Sequence, residues 1–215
     1  MRERPLNTFL VQALREAELR QPAGASLPRA AAAEAEAGVD ELAVAAANGS
    51  VEAVGRLYDA LVGPIYRYVA VRVRRREDAE DLTQLVFERI VGSLPRYRHQ
   101  GRPFEAWAFR IARNAVIDHV RRERSHEPLE DGHHAAQDGL EAISLRGEEI
   151  RELRRAIALL TADQQEALAL RFAAGLSAEE AAQVMGRRAG TVRGLTFRAI
   201  ANLRRRMNGD GRSSR

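Results

Sequence analysis

Between Asp40 and Arg124 the apolar residues recur at intervals of three and four and never alternate with period two. Val54, Leu57, Leu61, Ile65 and Tyr68 form one such stripe, and only an α-helix brings residues at those offsets onto a single side. The dipeptide Gly63-Pro64 lies within the stripe and predicts a kink, because proline removes one helical donor and crowds the preceding turn. A second helix is expected over about 78–91 and a third over about 104–122, after the loop RYRHQGRP. No hairpin dipeptide separates apolar runs in this part of the chain.

The pattern breaks at residues 125–147, SHEPLEDGHHAAQDGLEAISLRG, where Pro, Gly and acidic residues replace periodicity. Helical spacing resumes with Ile150, Leu153, Ile157 and Leu160 and stops before Thr161. Thr161-Ala-Asp-Gln164 and Ser177-Ala-Glu-Glu180 each fit a capping box, in which a hydroxyl and a side chain three residues later satisfy helix-end N–H groups. The fold class is therefore all-α: two small helical domains, 40–124 and 148–207, joined by a flexible acidic linker. Residues 1–39 read as a largely disordered extension. They hold one amphipathic stretch, Leu6, Phe9, Leu10, Ala13 and Ala17, followed by QPAGASLPRAAAAEAEAG. Residues 208–215 read as a disordered tail.

Composition excludes several chemistries. The 215-residue chain has no cysteine, so disulfides, thiolate metal sites and cysteine nucleophiles are ruled out. No apolar run approaches a membrane span and the first residues lack a signal-peptide core, which predicts a cytoplasmic protein without membrane insertion. All 34 basic residues are Arg, whose planar forks suit phosphate and guanine. Net charge runs −2 over residues 1–50, +5 over 51–124, −4 over 125–147 and +5 over 148–215. Two basic blocks flanking an acidic spacer suit two contacts with a polyanion.

Three segments carry chemistry. In GLSAEEAAQVMGRRAGTVRGLTFRAI, residues 175–200, Ala182, Gly186, Val192 and Leu195 supply the small residue, turn glycine and apolar offsets of a helix-turn-helix. Its second helix turns Arg188, Thr191, Arg193, Phe197 and Arg198 away from the core, ready for a major groove. Arg187 stands where an apolar residue usually follows the turn glycine.

In DAEDLTQLVFERI, residues 78–90, Ala79, Leu82, Val86 and Ile90 share an inward face. Asp81, Gln84, Leu85 and Glu88 share another, an exposed Leu rimmed by polar groups that suits a protein partner rather than DNA. In residues 96–124, Phe104, Ala108, Ile111 and Ala115 form the core stripe with Trp107 beside it. Arg110, Asn114, Ile117 and Arg121 step along a neighbouring face. The loop before this helix, with Arg98, His99, Gln100 and Arg102, could hold an unstacked base.

In order and spacing, DAEDLTQLVF, GRPFEAWAFRIARNAVIDHVRR and GLSAEEAAQVMGRRAGTVRG resemble the sigma factors of bacterial RNA polymerase, of the small extracytoplasmic-function type. The resemblance covers about 40–207. It implies a non-enzymatic initiation subunit, with no cofactor, that binds core RNA polymerase and promoter DNA and is held in check by an anti-sigma factor. The first domain would dock on the polymerase clamp through Asp81, Gln84 and Glu88, with Leu85 where the family often has an acid.

Asn114 and Asp118 fall on minus-ten base contacts, with 98–103 as the base-holding loop. Arg193, Gly194 and Phe197 fall on minus-thirty-five base contacts, and Arg171, Thr191 and Arg198 on phosphate contacts. Gly194 replaces the usual Ser, and Leu195-Thr196 the usual Arg-apolar pair, so the promoter sequence cannot be transferred from a relative. One rival is a helix-turn-helix regulator that binds duplex DNA without joining polymerase. The other is a metal-dependent hydrolase built on Asp131, His133 and His134, three residues in a segment with no helix to fix their spacing.

Overall fold

The computed structural model describes residues 38–73, 75–99, 101–126 and 145–209. The amphipathic stretch near Leu6, residue Gln100, the Asp131, His133 and His134 group, most of the acidic linker and the end of the tail lie outside the described residues. Among the described residues all regular structure is helical. The helices are α1 (Val39–Ala47), α2 (Val51–Ala70), α3 (Arg76–Ser93), α4 (Phe104–His126), α5 (Leu145–Ala158), α6 (Ala162–Leu168), α7 (Ala178–Met185) and α8 (Ala189–Gly209). A 3₁₀ turn, Leu94–Arg96, follows α3, and a π-turn, Ala169–Ala173, follows α6.

The first bundle forms as its stripes dictate. Ser50 caps α2 by accepting the Ala53 N–H at 3.2 Å, and Leu57, Leu61, Ile65 and Tyr68 are buried while Val54 is half-buried. The helix runs through Pro64 without ending. Ala60, whose carbonyl loses its donor there, is exposed, so that group faces water instead of an apolar core. Ala79, Leu82, Val86 and Ile90 point inward from α3.

Each fully buried aliphatic or aromatic side chain contributes about 1.5–3 kcal/mol, so these stripes outweigh the modest helix propensity of the Val- and Tyr-containing segments. The start of α4 is held from afar, for Asp40 in α1 accepts the Phe104 N–H at 2.6 Å. Tyr97, Phe104 and Trp107 gather beside it, with ring centroids 5.1–5.2 Å apart.

In the second bundle both capping boxes are formed, Thr161 with Gln164 and Ser177 with Glu180. Gly186 ends α7 at φ 64°, and Ala182, Val192 and Leu195 are buried where the helices cross. A smaller core joins Leu153 and Ala156 of α5, and Leu160 just beyond it, to Leu168, Ala199 and Leu203.

The two bundles do not stand apart. One continuous core runs from Phe109 and Ala112 of α4 into Ala167, Leu170, Leu176, Ala181 and Ala182. Helix α7 lies against α4, and the π-turn lies against α2.

A methyl group at Gly186 would meet nothing within 4 Å, so only the left-handed backbone opposes a side chain there. Gly186→Ala is expected to lower unfolding free energy by about 1–2 kcal/mol, and Gly186→Asn by less. Denaturant titration of both variants checks this; equal losses would show that φ is not the controlling constraint.

Candidate nucleic-acid interface

Helix α8 separates its two faces as the heptad offsets require. Val192, Leu195, Ala199 and Leu203 are buried, whereas Arg188, Thr191, Arg193, Phe197 and Arg198 are exposed. Phe197 is 74% exposed, an apolar ring left in water beside guanidinium groups. Arg193 is aimed by Glu179 of α7, which accepts from it at 2.8 Å. Gly194 is half-buried, and a Cβ added there would make only ordinary contact with Arg198. Arg171 is half-buried in the π-turn and donates to the Leu176 carbonyl, so its charge is tied into the turn that precedes α7.

On α4 the exposed face carries Arg110, Asn114, Asp118 and Arg121, with Ile117 half-buried alongside. Arg110 donates to the Gln183 carbonyl of α7 at 3.0 Å, while Asn114 and Asp118 face outward. In the preceding loop Arg98 folds back on the carbonyls of Pro95 at 3.1 Å and Tyr97 at 2.8 Å. Arg102 is exposed, and Gly101 takes φ 68°, which turns the chain between them. The loop is thus anchored at one end by the Tyr97 ring cluster and free of apolar packing at Arg102.

On α3, Asp81, Gln84 and Glu88 are exposed, and Gln84 donates to Glu88 at 3.1 Å. Leu85 corrects the expectation of an exposed anchor: it is half-buried and packs on the core, because its position adjoins Leu82 and Val86 on the helix circumference. Exposed apolar surface on that side comes instead from Tyr58 of α2, whose ring lies 4.7 Å from that of Phe87, and from Val91, one turn beyond Glu88. Helices α3 and α4 are braced by His119, whose Nε2 lies 3.9 Å from Asp78 and 3.5 Å from Glu123. These three donor atoms fall within 4.8 Å of one another.

A charged seam joins the bundles and had no signal in the sequence. Glu166 of α6 is 4% exposed, and its carboxylate accepts the Tyr68 hydroxyl at 2.8 Å. Arg72 approaches it at 3.3 Å and Arg113 at 3.6 Å. Arg67 donates to the Ala173 carbonyl at 3.1 Å, and Arg72 to Gln165 at 3.3 Å. Burial, with the adjacent Glu166 charge, holds the Tyr68 phenol well above its usual range, so it remains a donor.

Family models match both parts of this architecture: Sigma-70 region 2 over residues 57–126, and Sigma-70 region 4 over residues 150–203. The chain is 36% identical over 176 residues to the ECF RNA polymerase sigma factor BldN of Streptomyces coelicolor, covering 80% of this chain and 67% of that protein. It is 32% identical over 175 residues to the ECF RNA polymerase sigma factor SigD of Mycobacterium tuberculosis, covering 77% and 82%. In fold it resembles the sigma factor RpoE of Bartonella quintana, solved with the anti-sigma factor NepR, at TM-score 0.57 and 23% identity over 77% of this chain and 100% of that one.

Two helical bundles matched in order by Sigma-70 region 2 and region 4 define a transcription initiation subunit. The chain belongs to the extracytoplasmic-function sigma factors of RNA polymerase, and it recognises promoters as they do. The region 2 match beside the helix-turn-helix disfavours the reading as a free-standing duplex-DNA regulator. Among the described residues no helix is long and apolar enough to cross a membrane.

The carboxyl of Glu105, at the start of α4, is raised above its usual range by burial and by the facing Asp40 and Glu180. Its native state therefore binds the proton more tightly than its unfolded state. The favourable contribution is present at low pH and is lost as pH rises through the native value. Glu105→Gln is expected to raise the melting temperature at neutral pH, with the gap from wild type closing as pH falls toward the carboxylate range. A constant gap across that range in melting curves would assign the gain to something other than ionisation.

Proposed function

We propose that the two bundles, taken as a region 2 domain over 40–124 and a region 4 domain over 148–207, divide promoter recognition between them. Helix α3 docks on core polymerase through Asp81, Gln84 and Glu88, with Tyr58 and Val91 as the apolar part of the contact. Asn114 and Asp118 read minus-ten bases after they leave the stack. The loop through Arg98 and Arg102 holds them, and Arg110 and Arg121 hold phosphates.

Helix α8 reads the minus-thirty-five duplex with Arg193, Gly194 and Phe197. Arg188, Thr191 and Arg198 anchor its phosphates, and Arg171 does so from the turn beneath. An anti-sigma factor restrains the protein, as the RpoE complex illustrates for a relative in fold. No cofactor and no catalytic step are required, because binding energy from captured bases and held phosphates offsets the few kcal/mol of unstacking. The protein acts in the cytoplasm with polymerase.

The single observation that carries this reading is the clean partition of α8 and α4. Each buries its apolar residues in a packed core and leaves Arg with Phe, or Arg with Asn and Asp, facing water. Side chains held on rigid helices and not spent on packing are what groove readout and base capture need.

Docking is tested by replacing Asp81, Gln84 and Glu88 together with Ala. Helicity and melting should stay near wild type, since exposed substitutions shift stability by about 0.5 kcal/mol or less. Affinity for core polymerase should drop by tenfold or more, roughly the loss of one hot spot. Wild-type co-elution with polymerase would place docking elsewhere.

Base capture is tested with Asn114→Ala on duplex promoter and on a template whose minus-ten region is already mismatched. Opening should slow on the duplex with polymerase binding unchanged, and most of the defect should vanish on the mismatched template. An equal defect on both, with weakened polymerase binding, would assign Asn114 to the docking surface or the fold.

A further inference from the structure

One group between α3 and α4 is used neither by the packing nor by the proposed function. The Nε2 of His119, on α4, is out of solvent and makes no hydrogen bond. Two carboxylates flank it, Asp78 of α3 at 3.9 Å and Glu123, one turn further along α4, at 3.5 Å. Buried polar atoms in folded proteins almost always have a partner, so an imidazole nitrogen left without one between two carboxylates calls for an explanation. The backbone that carries these groups is fixed. Ala79, beside Asp78, and Val116, three residues before His119, are buried where α3 packs on α4.

We propose that Asp78, His119 and Glu123 form a site for a divalent transition-metal ion of the zinc type, which staples the start of α3 to the later turns of α4. The separations suit such an ion. Ligand atoms about 2.0–2.1 Å from a tetrahedral centre lie about 3.4 Å from one another, and the three donor atoms here all fall within 4.8 Å of one another. Asp78 and Glu123 keep 22% and 36% of their side-chain surface exposed, which leaves them room to swing inward.

The donor set narrows the ion. Calcium and magnesium take shells of six or more oxygens, whereas one imidazole nitrogen with two carboxylate oxygens suits zinc and its neighbours. Charge agrees, since the two carboxylates supply −2 and a divalent cation cancels both. The arginines just ahead of Asp78 are engaged by other acids, Arg75 by Glu77 at 3.6 Å and Arg76 by Glu80 at 2.7 Å. Three protein ligands leave a fourth position for water at the partly exposed edge.

This inference goes beyond the promoter reading and does not rest on it, because no ligand is a residue assigned to docking or base capture. Its consequence bears on both. Asp78 lies one turn before Asp81, and His119 directly follows Asp118, so the ion fixes the helix of the docking face against the helix of the base-reading face.

Calorimetric titration of zinc into the untagged, chelator-treated full chain tests the site. One equivalent should bind with Kd about 10 µM or tighter, and saturating zinc should raise the melting temperature by about 3–8 °C. Asp78→Asn, His119→Ala and Glu123→Gln should each weaken binding by about tenfold or more with unchanged circular dichroism. A chain with both His133→Ala and His134→Ala, which lie outside the cluster, should bind as the wild type does. Zinc should also slow amide hydrogen exchange in the first turns of α3 and the last turns of α4 together.

No heat of binding at about 100 µM zinc would overturn the site. So would binding that survives all three substitutions and disappears with the two linker histidines. Protection of only one of the two helices would overturn the staple. If His119→Ala fails to fold, Glu123→Gln, at the most exposed of the three ligands, decides.

Discussion

Helix α4 is buried on two sides, and most of the molecule follows from that. One stripe, Phe104, Ala108 and Ala115, closes the first bundle, while Phe109 and Ala112 belong to the core that continues into the second. Alanines at 108, 112 and 115 let neighbouring helices come close, and the two phenylalanines supply the apolar area that such small residues cannot. What remains of the circumference is a narrow outward strip holding Arg110, Asn114, Asp118 and Arg121. The strip is rigid because the rest of the helix is clamped on both sides.

The parts that were legible in the sequence are those decided within a few residues. Capping boxes at Thr161 and Ser177, the left-handed Gly186 and the apolar stripes of α2, α3 and α8 all depend on neighbours one turn away, and all are present. The outward placement of Asp81, Gln84, Glu88, Asn114, Arg193 and Phe197 follows from the same periodicity. Leu85 shows its limit, since a residue at the edge of a stripe is settled by the width of the groove it meets and not by its offset. Asp40 capping α4 across 64 residues and Tyr68 meeting Glu166 across 98 have no local signature at all. A Glu on a short helix reads as solvated until another bundle is laid over it.

An all-Arg complement of cations gives one side-chain type several tasks. At the seam, Arg67, Arg72 and Arg110 donate to side-chain or backbone carbonyls, and Arg72 and Arg113 pair with the Glu166 carboxylate, so a planar fork can serve two partners at once. On α8 Arg193 and Arg198 stay at the surface, as does Arg188 just before it, and Glu179 orients Arg193 by an exposed pair of the kind that contributes under about 1 kcal/mol. A phosphate or a guanine edge can displace such a partner at little cost. The buried carboxylate at Glu166 is a different matter, because exchanging its partners requires that the bundles part.

That contrast bears on how promoter contact and the seam compete. Phosphates attract cations over roughly a Debye length, about 8 Å at physiological salt, so α8 feels duplex DNA before the seam is disturbed. Binding through α8 alone adds nothing that favours opening, since a ligand shifts an equilibrium only by its preference for one state over the other. The Arg110 contact to Gln183 joins the seam to the outward face, because the same guanidinium that steadies α7 against α4 lies on the strip that carries Asn114 and Asp118.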